Sequence, residues 1–169
     1  MTTFVKNSHC SYCGNLFEEQ TKWPRQCHVC LNMSYINPLP AAVVLLNVRD
    51  DDGRYGTLVQ KRNINPMKGH WALTGGYMDK GETWQESACR EIYEELGIES
   101  TPNEFSLLDV GVNTDKSVLI IFGVCLRTFT MEDIHFSPNE EVSDIQIIYE
   151  PMELAFPTHT EILKIWFGK

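Results

Sequence analysis

The sequence predicts a mixed α/β (α+β) fold: a β-sheet covered by helices on its faces, preceded by a small cysteine-held module. Three observations carry this. Apolar and alternating segments recur along the chain with only two helical patterns among them, at 83–97 and 157–167. The first of these patterns is capped at both ends. The first 37 residues hold two Cys-x-x-Cys pairs and are too few to build a core without a staple.

In chain order, Cys10-x-x-Cys13 and Cys27-x-x-Cys30 come first, separated by thirteen residues. Each pair can form a tight knuckle aiming two thiolates at one point, and two knuckles complete a tetrahedral four-sulfur zinc site. Gly14 supplies the backbone freedom the first knuckle needs. A redox pair would need only one such motif, and disulfides are disfavoured where no export signal marks the chain. Structural zinc is therefore expected, acting as a staple with no catalytic part. His9 and His28 flank the knuckles and are read as surface residues.

Tyr35–Pro40 (YINPLP) reads as a stiff connection, because two prolines interrupt regular structure. AAVVLLNV is a continuous apolar run, a strand buried on both faces. The Asp/Gly-rich RDDDGRYG is a turn, and TLVQKR the returning strand. After the loop NINPMKGH, WALTGG reads as one short strand ending in two glycines. FSLLDVGVNT and SVLIIFGVCLRTF form a hairpin hinged near Asp115 and Lys116. SDIQIIYE alternates as a strand does. PTHTEILKIWF is a closing helix, capped by Thr158, with Ile162, Leu163, Ile165 and Trp166 facing the core.

The helix between these strands carries the chemistry. Thr83 and Glu86 form a Thr-x-x-Glu capping box, and Gly97 sits at a left-handed stop. With Glu91 at zero and about 100° per residue, Glu94 and Glu95 fall within the same arc of about 100°. Ala88, Cys89, Ile92 and Leu96 form a core-facing stripe beside it. The acidic arc is expected to be exposed at the edge of the packing. Carboxylates at i, i+3 and i+4 suit hard cations with oxygen ligands, Mg²⁺ or Mn²⁺.

The net charge of −9, from 14 basic and 23 acidic residues, argues against a protein that grips long nucleic acid. It would also repel a phosphate-bearing ligand unless divalent cations lay between them. No apolar run reaches membrane-spanning length, and MTTFVKNSHC lacks the apolar core of a secretory signal. A cytoplasmic location follows as the expectation.

Gly76 is followed by five residues, Glu82, seven residues, and then REIYEELGI. This resembles a complete Nudix box, with Gly76, Glu82, Arg90, Glu91, Ile92, Glu94, Glu95, Gly97 and Ile98 at its fixed positions. Thr74 departs from the family, where many members carry proline. The resemblance implies an α/β/α sandwich over residues 38–169 and hydrolysis of a nucleoside diphosphate linked to another moiety. It implies that Glu91 and Glu95 hold the metal, Glu94 assists as ligand or base, and the Gly75 carbonyl completes the site. Arg90 would orient Glu82 or a neighbouring carboxylate. A further carboxylate is implied from a loop opposite, Glu140 or Glu141, with Glu141 preferred because it directly precedes the aliphatic residue that starts a strand.

The segment HCSYCGNLF…RQCHVC, over residues 1–37, resembles the zinc ribbon preceding the Nudix domain in NADH pyrophosphatases and related FAD or ADP-ribose pyrophosphatases. The NADH branch carries a Ser-Gln-Pro-Trp-Pro-Phe-Pro signature after the box, and nothing here matches it. The implied partner is therefore a small nucleoside-diphosphate compound of the NADH, ADP-ribose or FAD type, and dimers are common in the family. Arg62, at a strand end, is a candidate phosphate contact. Tyr77, Trp71, Phe122 and Tyr149 are candidates for stacking on a base, Tyr77 being the one placed in the site. Cys89 and Cys125 read as buried and inert. Two other readings stand beside hydrolysis: a Nudix-fold isomerase, which usually has a degenerate box, and a sensor or nucleic-acid-binding module using the ribbon.

Overall fold

Two cysteine turns of one design build the N-terminal unit of this computed structural model, which describes residues 5–18 and 22–168. In each turn the leading cysteine N–H donates forward, Cys10 to Asn15 O (2.7 Å) and Cys27 to Asn32 O (3.0 Å). Its carbonyl accepts from Gly14 N (3.0 Å) or Leu31 N (2.9 Å). Both of those residues are left-handed, Gly14 at φ 73° and Leu31 at φ 62°. Glycine adopts this freely, whereas it costs Leu31 roughly 1 kcal/mol, and nothing in the sequence marks a leucine for that role. Strands β1 (Arg25–Gln26) and β2 (Met33–Ser34) pair antiparallel around the second turn. Phe17 and Trp23 meet edge-on at 5.8 Å beside Cys10 and Cys27. The chain separates into two units, Met1–Pro38 and Leu39–Lys169.

The second unit runs β3 (Leu39–Arg49), β4 (Tyr55–Arg62), β5 (Trp71–Ala72), β6 (Thr74–Tyr77), α1 (Trp84–Leu96), β7 (Phe105–Val112), β8 (Val118–Thr130), β9 (Val142–Ile148) and α2 (Pro157–Phe167). The sheet is mixed, as expected: β3 and β8 are parallel, and every other pairing is antiparallel. The apolar run predicted as a doubly buried strand is β3. Val43 and Leu45 enter one core, with Ile162 and Leu163 of α2. Val44, Leu46 and Val48 enter the other, with Ala88, Ile92 and Leu96 of α1. The two-residue period of the strand thus builds both layers, and each fully buried leucine contributes about 1.5–3 kcal/mol.

Several expectations are corrected. Pro40 lies inside β3, tolerated because it comes at the strand's start, where its carbonyl accepts from Met78 N at 3.0 Å. WALTGG is two strands, because β3 and β4 diverge beyond Thr57 and the segment fills the gap. β5 pairs with β4 and β6 with β3, and buried Leu73 crosses between them. Phe156, not Thr158, is the N-cap of α2, with Pro157 as its first helical residue and no side-chain cap. Nearby, Leu154 N donates to Thr160 Oγ1 (2.9 Å). Ile165 is exposed, on the solvent side of α2, while Trp166 packs against the core. Among the described residues no helix is long and apolar enough to cross a membrane.

Candidate active site

Helix α1 forms as its sequence dictates. Thr83 Oγ1 accepts from Glu86 N at 3.3 Å, Glu86 accepts from Thr83 N at 2.7 Å, and Gly97 closes the helix at φ 67°. Its acidic arc is not exposed throughout. Glu91 and Glu95 are 8% and 6% exposed, and Glu94 alone faces solvent. The cause is β6. Gly75 and Gly76 lie directly against the helix, and a Cβ on Gly76 would sit 2.5–2.7 Å from the Glu91 carboxylate. Gly75 N donates to Glu95 Oε2 at 3.1 Å.

Arg90 organises the charges. It donates to both oxygens of Glu82 (2.7 and 3.0 Å), to Glu91 (2.7 Å), to Glu94 (3.2 Å) and to the Tyr77 carbonyl (3.0 Å). That bidentate pair ties the loop after β6 to α1. Arg90, then the Asp79 N–H, hold the Glu82 carboxyl at about 2, so it stays charged. Burial acts the other way on Glu95. Its carboxyl is pushed up to about 8 by loss of water and by the charges of Glu91 and Glu141, against the pull of Gln60 and the Gly75 N–H. Burial raises Glu91 as well.

A cavity of about 550 Å³ opens over this cluster, within the range of small-molecule sites. Gly75, Glu91, Glu94, Glu95 and Glu141 line its acidic end, and Arg62 and Tyr77 also line it. Seven candidates, Gly75, Glu91, Glu94, Glu95, Glu141, Arg62 and Tyr77, thus line one cavity. Glu140 does not line it. Glu141 is set by Asn139, whose Oδ1 accepts from Glu141 N at 2.9 Å, and by its own carbonyl, which accepts from Asn63 N at 2.7 Å. Two clefts of about 730 and 780 Å³ are larger. Neither gathers the carboxylates together with Gly75 and Glu141, so size does not identify the site.

The remaining aromatic candidates fall away. Phe122 is core, Trp71 packs beside it, and Tyr149 donates to Asp50 beneath the Arg54 guanidinium. Sequence reasoning missed Asn113, Phe156 and His159, which also line the cavity. They come from the β7–β8 turn and the start of α2, segments read only as connection and packing.

The donor set at the acidic end is hard oxygen throughout, which fits Mg²⁺ or Mn²⁺. A cation there would offset both the mutual repulsion of the glutamates and the burial of Glu95. The sign for stability follows. A carboxyl raised from 4.5 to about 8 stabilises fully below 4.5 and loses that contribution as pH rises through 8. Zinc-loaded protein without Mg²⁺ should therefore lose Tm through this group between pH 6 and 8.5. Added Mg²⁺ should restore Tm more at pH 8.5 than at pH 6, as thermal scans at both pH values would reveal. An equal effect at both would separate the cation from Glu95.

In the N-terminal unit the Sγ atoms of Cys10, Cys13, Cys27 and Cys30 lie within 4.8 Å of one another. Cys10–Cys30 and Cys13–Cys27 are 3.7 and 3.5 Å apart. Tetrahedral zinc with bonds of about 2.3 Å places sulfurs about 3.8 Å apart, so the residues fit the ion. Backbone N–H groups of Cys13 and Tyr12 hold the Cys10 thiol down at about 6, while Cys13, against the pull of the Asn15 N–H, is pushed up to about 12 by loss of water and the neighbouring thiols, so without the ion the four are not all thiolates. His9 and His28 are exposed, as expected. Protein prepared with zinc should carry about one ion per chain, and Cys27→Ser should lose it together with cooperative folding of residues 5–38. Elemental analysis and amide exchange over that segment would measure both.

The family model for the NUDIX domain matches residues 38–166. The NAD-capped RNA hydrolase NudC of Shigella flexneri is 28% identical over 96 residues, 56% of this chain and 35% of that protein. The chain thus spans about a third of the length of such curated relatives. Among solved structures, a NUDIX hydrolase from Nitrosomonas europaea superposes with a TM-score of 0.69 at 22% identity, covering 95% of this chain and 90% of that one. The NUDIX domain of Shewanella oneidensis NrtR, solved with ADP ribose, gives a TM-score of 0.61 at 18% identity, covering 75% and 84%.

Proposed function

The chain belongs to the Nudix family, and from that premise we propose that it is a pyrophosphohydrolase of nucleoside-diphosphate-linked compounds, of the NADH, ADP-ribose or FAD type, releasing a mononucleotide such as AMP. The observation that carries this is the single cavity in which Glu91, Glu94, Glu95 and Glu141 meet Gly75, Arg62 and Tyr77. Glu91 and Glu95 are the groups that would hold Mg²⁺ or Mn²⁺, with the Gly75 carbonyl as a further oxygen donor. The bound cation supplies charge neutralisation between carboxylates and diphosphate and a more acidic attacking water.

The chain's own groups do the rest. The Gly75 N–H orients Glu95, and Arg90 fixes Glu91 and anchors Glu82, so the ligands are held before substrate arrives. Glu94 and Glu141, both exposed to the cavity, are the groups placed to accept a proton from water. Arg62 donates from Nε to Pro66 O at 2.8 Å, which holds its guanidinium at the rim for a phosphate. Zinc in the N-terminal module is structural. The intact set of carboxylates favours hydrolysis over the isomerase and sensor readings.

The test is a panel of NADH, ADP-ribose, FAD and, from the name of the relatives, an NAD-capped RNA, each with Mg²⁺ or Mn²⁺ and product identification. Release of AMP, or of 5′-monophosphate RNA, from at least one is the expected result. No turnover of any panel member sinks the reading.

A further inference from the structure

We propose that His159 reads the substrate's planar ring: its Nε2–H donates to an uncharged acceptor on a nucleobase held along the Val43, Leu73 and Val118 wall of the cavity, while the diphosphate lies between Arg62 and the glutamate end. This rests on the hydrolase reading above. The Leu73 N–H donates to His159 Nδ1 at 3.3 Å, so the hydrogen-bond network assigns the ring proton to Nε2. Nε2 has no partner among the described residues. The buried side-chain polar atoms without one are Thr57 Oγ1 and Ser100 Oγ. Nε2 is thus not sealed in the core, and His159, though 6% exposed, lines the cavity.

The imidazole is fixed in place. Phe122 meets it edge-on at 5.9 Å and Phe156 at 5.0 Å with a 59° tilt. Val43, Leu73 and Val118 give this end of the cavity apolar wall, and the Arg62 guanidinium lies over the Phe156 ring at its edge, 5.3 Å from the centroid. Burial first, then the Arg62 charge, hold the imidazole down at about 3, so it is a neutral donor at any working pH. A neutral donor beside an apolar wall favours a neutral acceptor on a flat, weakly hydrated group, which a base offers, over the strongly hydrated hydroxyls and charged oxygens of a sugar phosphate.

Two substitutions separate the ring's two nitrogens. Asparagine keeps an acceptor near Nδ1 for Leu73 but cannot reach as Nε2 does, whereas glutamine keeps the reach and loses the acceptor. In zinc-loaded full-length protein with Mg²⁺, His159→Asn should bind AMP about tenfold more weakly by calorimetry, with ribose 5-phosphate unchanged. Its Tm should stay near wild type. His159→Gln should keep AMP affinity within about twofold and lose Tm. In wild-type protein the Nε2–H resonance should move on AMP and stay still on ribose 5-phosphate, a readout that does not depend on either variant folding.

Equal AMP affinity in wild type and His159→Asn, equal loss for both ligands, or a still resonance overturns the proposal. If AMP binding depends on His159 but no panel compound is hydrolysed, the ring site stands and the hydrolase reading falls. If hydrolysis proceeds in His159→Asn with unchanged KM, the reverse holds.

Discussion

Glu95→Gln should reduce kcat by about 10²–10³-fold, the scale of removing one preorganised electrostatic contact from an active site, while the fold stays intact. The side chain is buried and its carboxyl sits at about 8, so the wild-type protein must hold a poorly solvated acid where a cation belongs. Glutamine fills the same volume and still accepts from the Gly75 N–H, but it has no charge to offer a cation. The same change should raise the Tm of the Mg²⁺-free protein at pH 8.5, because it removes the burial penalty that wild type meets there. Lost activity together with gained stability is a signature that a merely structural glutamate would not give. Kinetics on a hydrolysed panel compound and thermal scans at pH 6 and 8.5 measure the two halves.

Gly75→Ala should be the most destabilising single change near the site. Its φ of 144° lies outside what an L side chain readily adopts, and an added Cβ would run into the Ala42 carbonyl and lie 2.7 Å from Val43 Cα. Strain and overpacking against backbone together are expected to cost about 2–5 kcal/mol, a fall in Tm of roughly 10 °C. Gly76→Ala is the informative contrast. The atoms nearest its Cβ are the end of the Glu91 side chain, which can move, so Tm should fall less while activity falls through the displaced carboxylate. Thermal melts and activity of the pair check this; equal Tm losses would mean that β6 yields as a whole.

Much of this was legible because it is written locally. The capping box, the Gly97 stop and the cysteine spacings involve residues within one turn of each other, and the structure follows them. The apolar run of β3 gave the doubly covered sheet. What stayed hidden depends on distant partners. Helical angles place Glu91 and Glu95 beside the core stripe, but their burial is decided by β6, whose two glycines bring backbone onto the carboxylates. Leu73 divides WALTGG because β3 and β4 part, a fact of sheet geometry. His159 answers to Leu73, 86 residues earlier in the chain, so no local pattern marks it. Glu141 was a choice between neighbours that only the path of the loop into β9 decides.

Whether a divalent cation sits on Glu95 and its neighbours is decided by titration of zinc-loaded protein with Mn²⁺ at pH 7.5, in buffers of different ionisation enthalpy. With the Glu95 carboxyl near 8, Mn²⁺ binding should release protons, and Glu95→Gln should lose both the proton release and most of the affinity. Mn²⁺ binding by Glu95→Gln with wild-type affinity and proton release would remove Glu95 from the cation site.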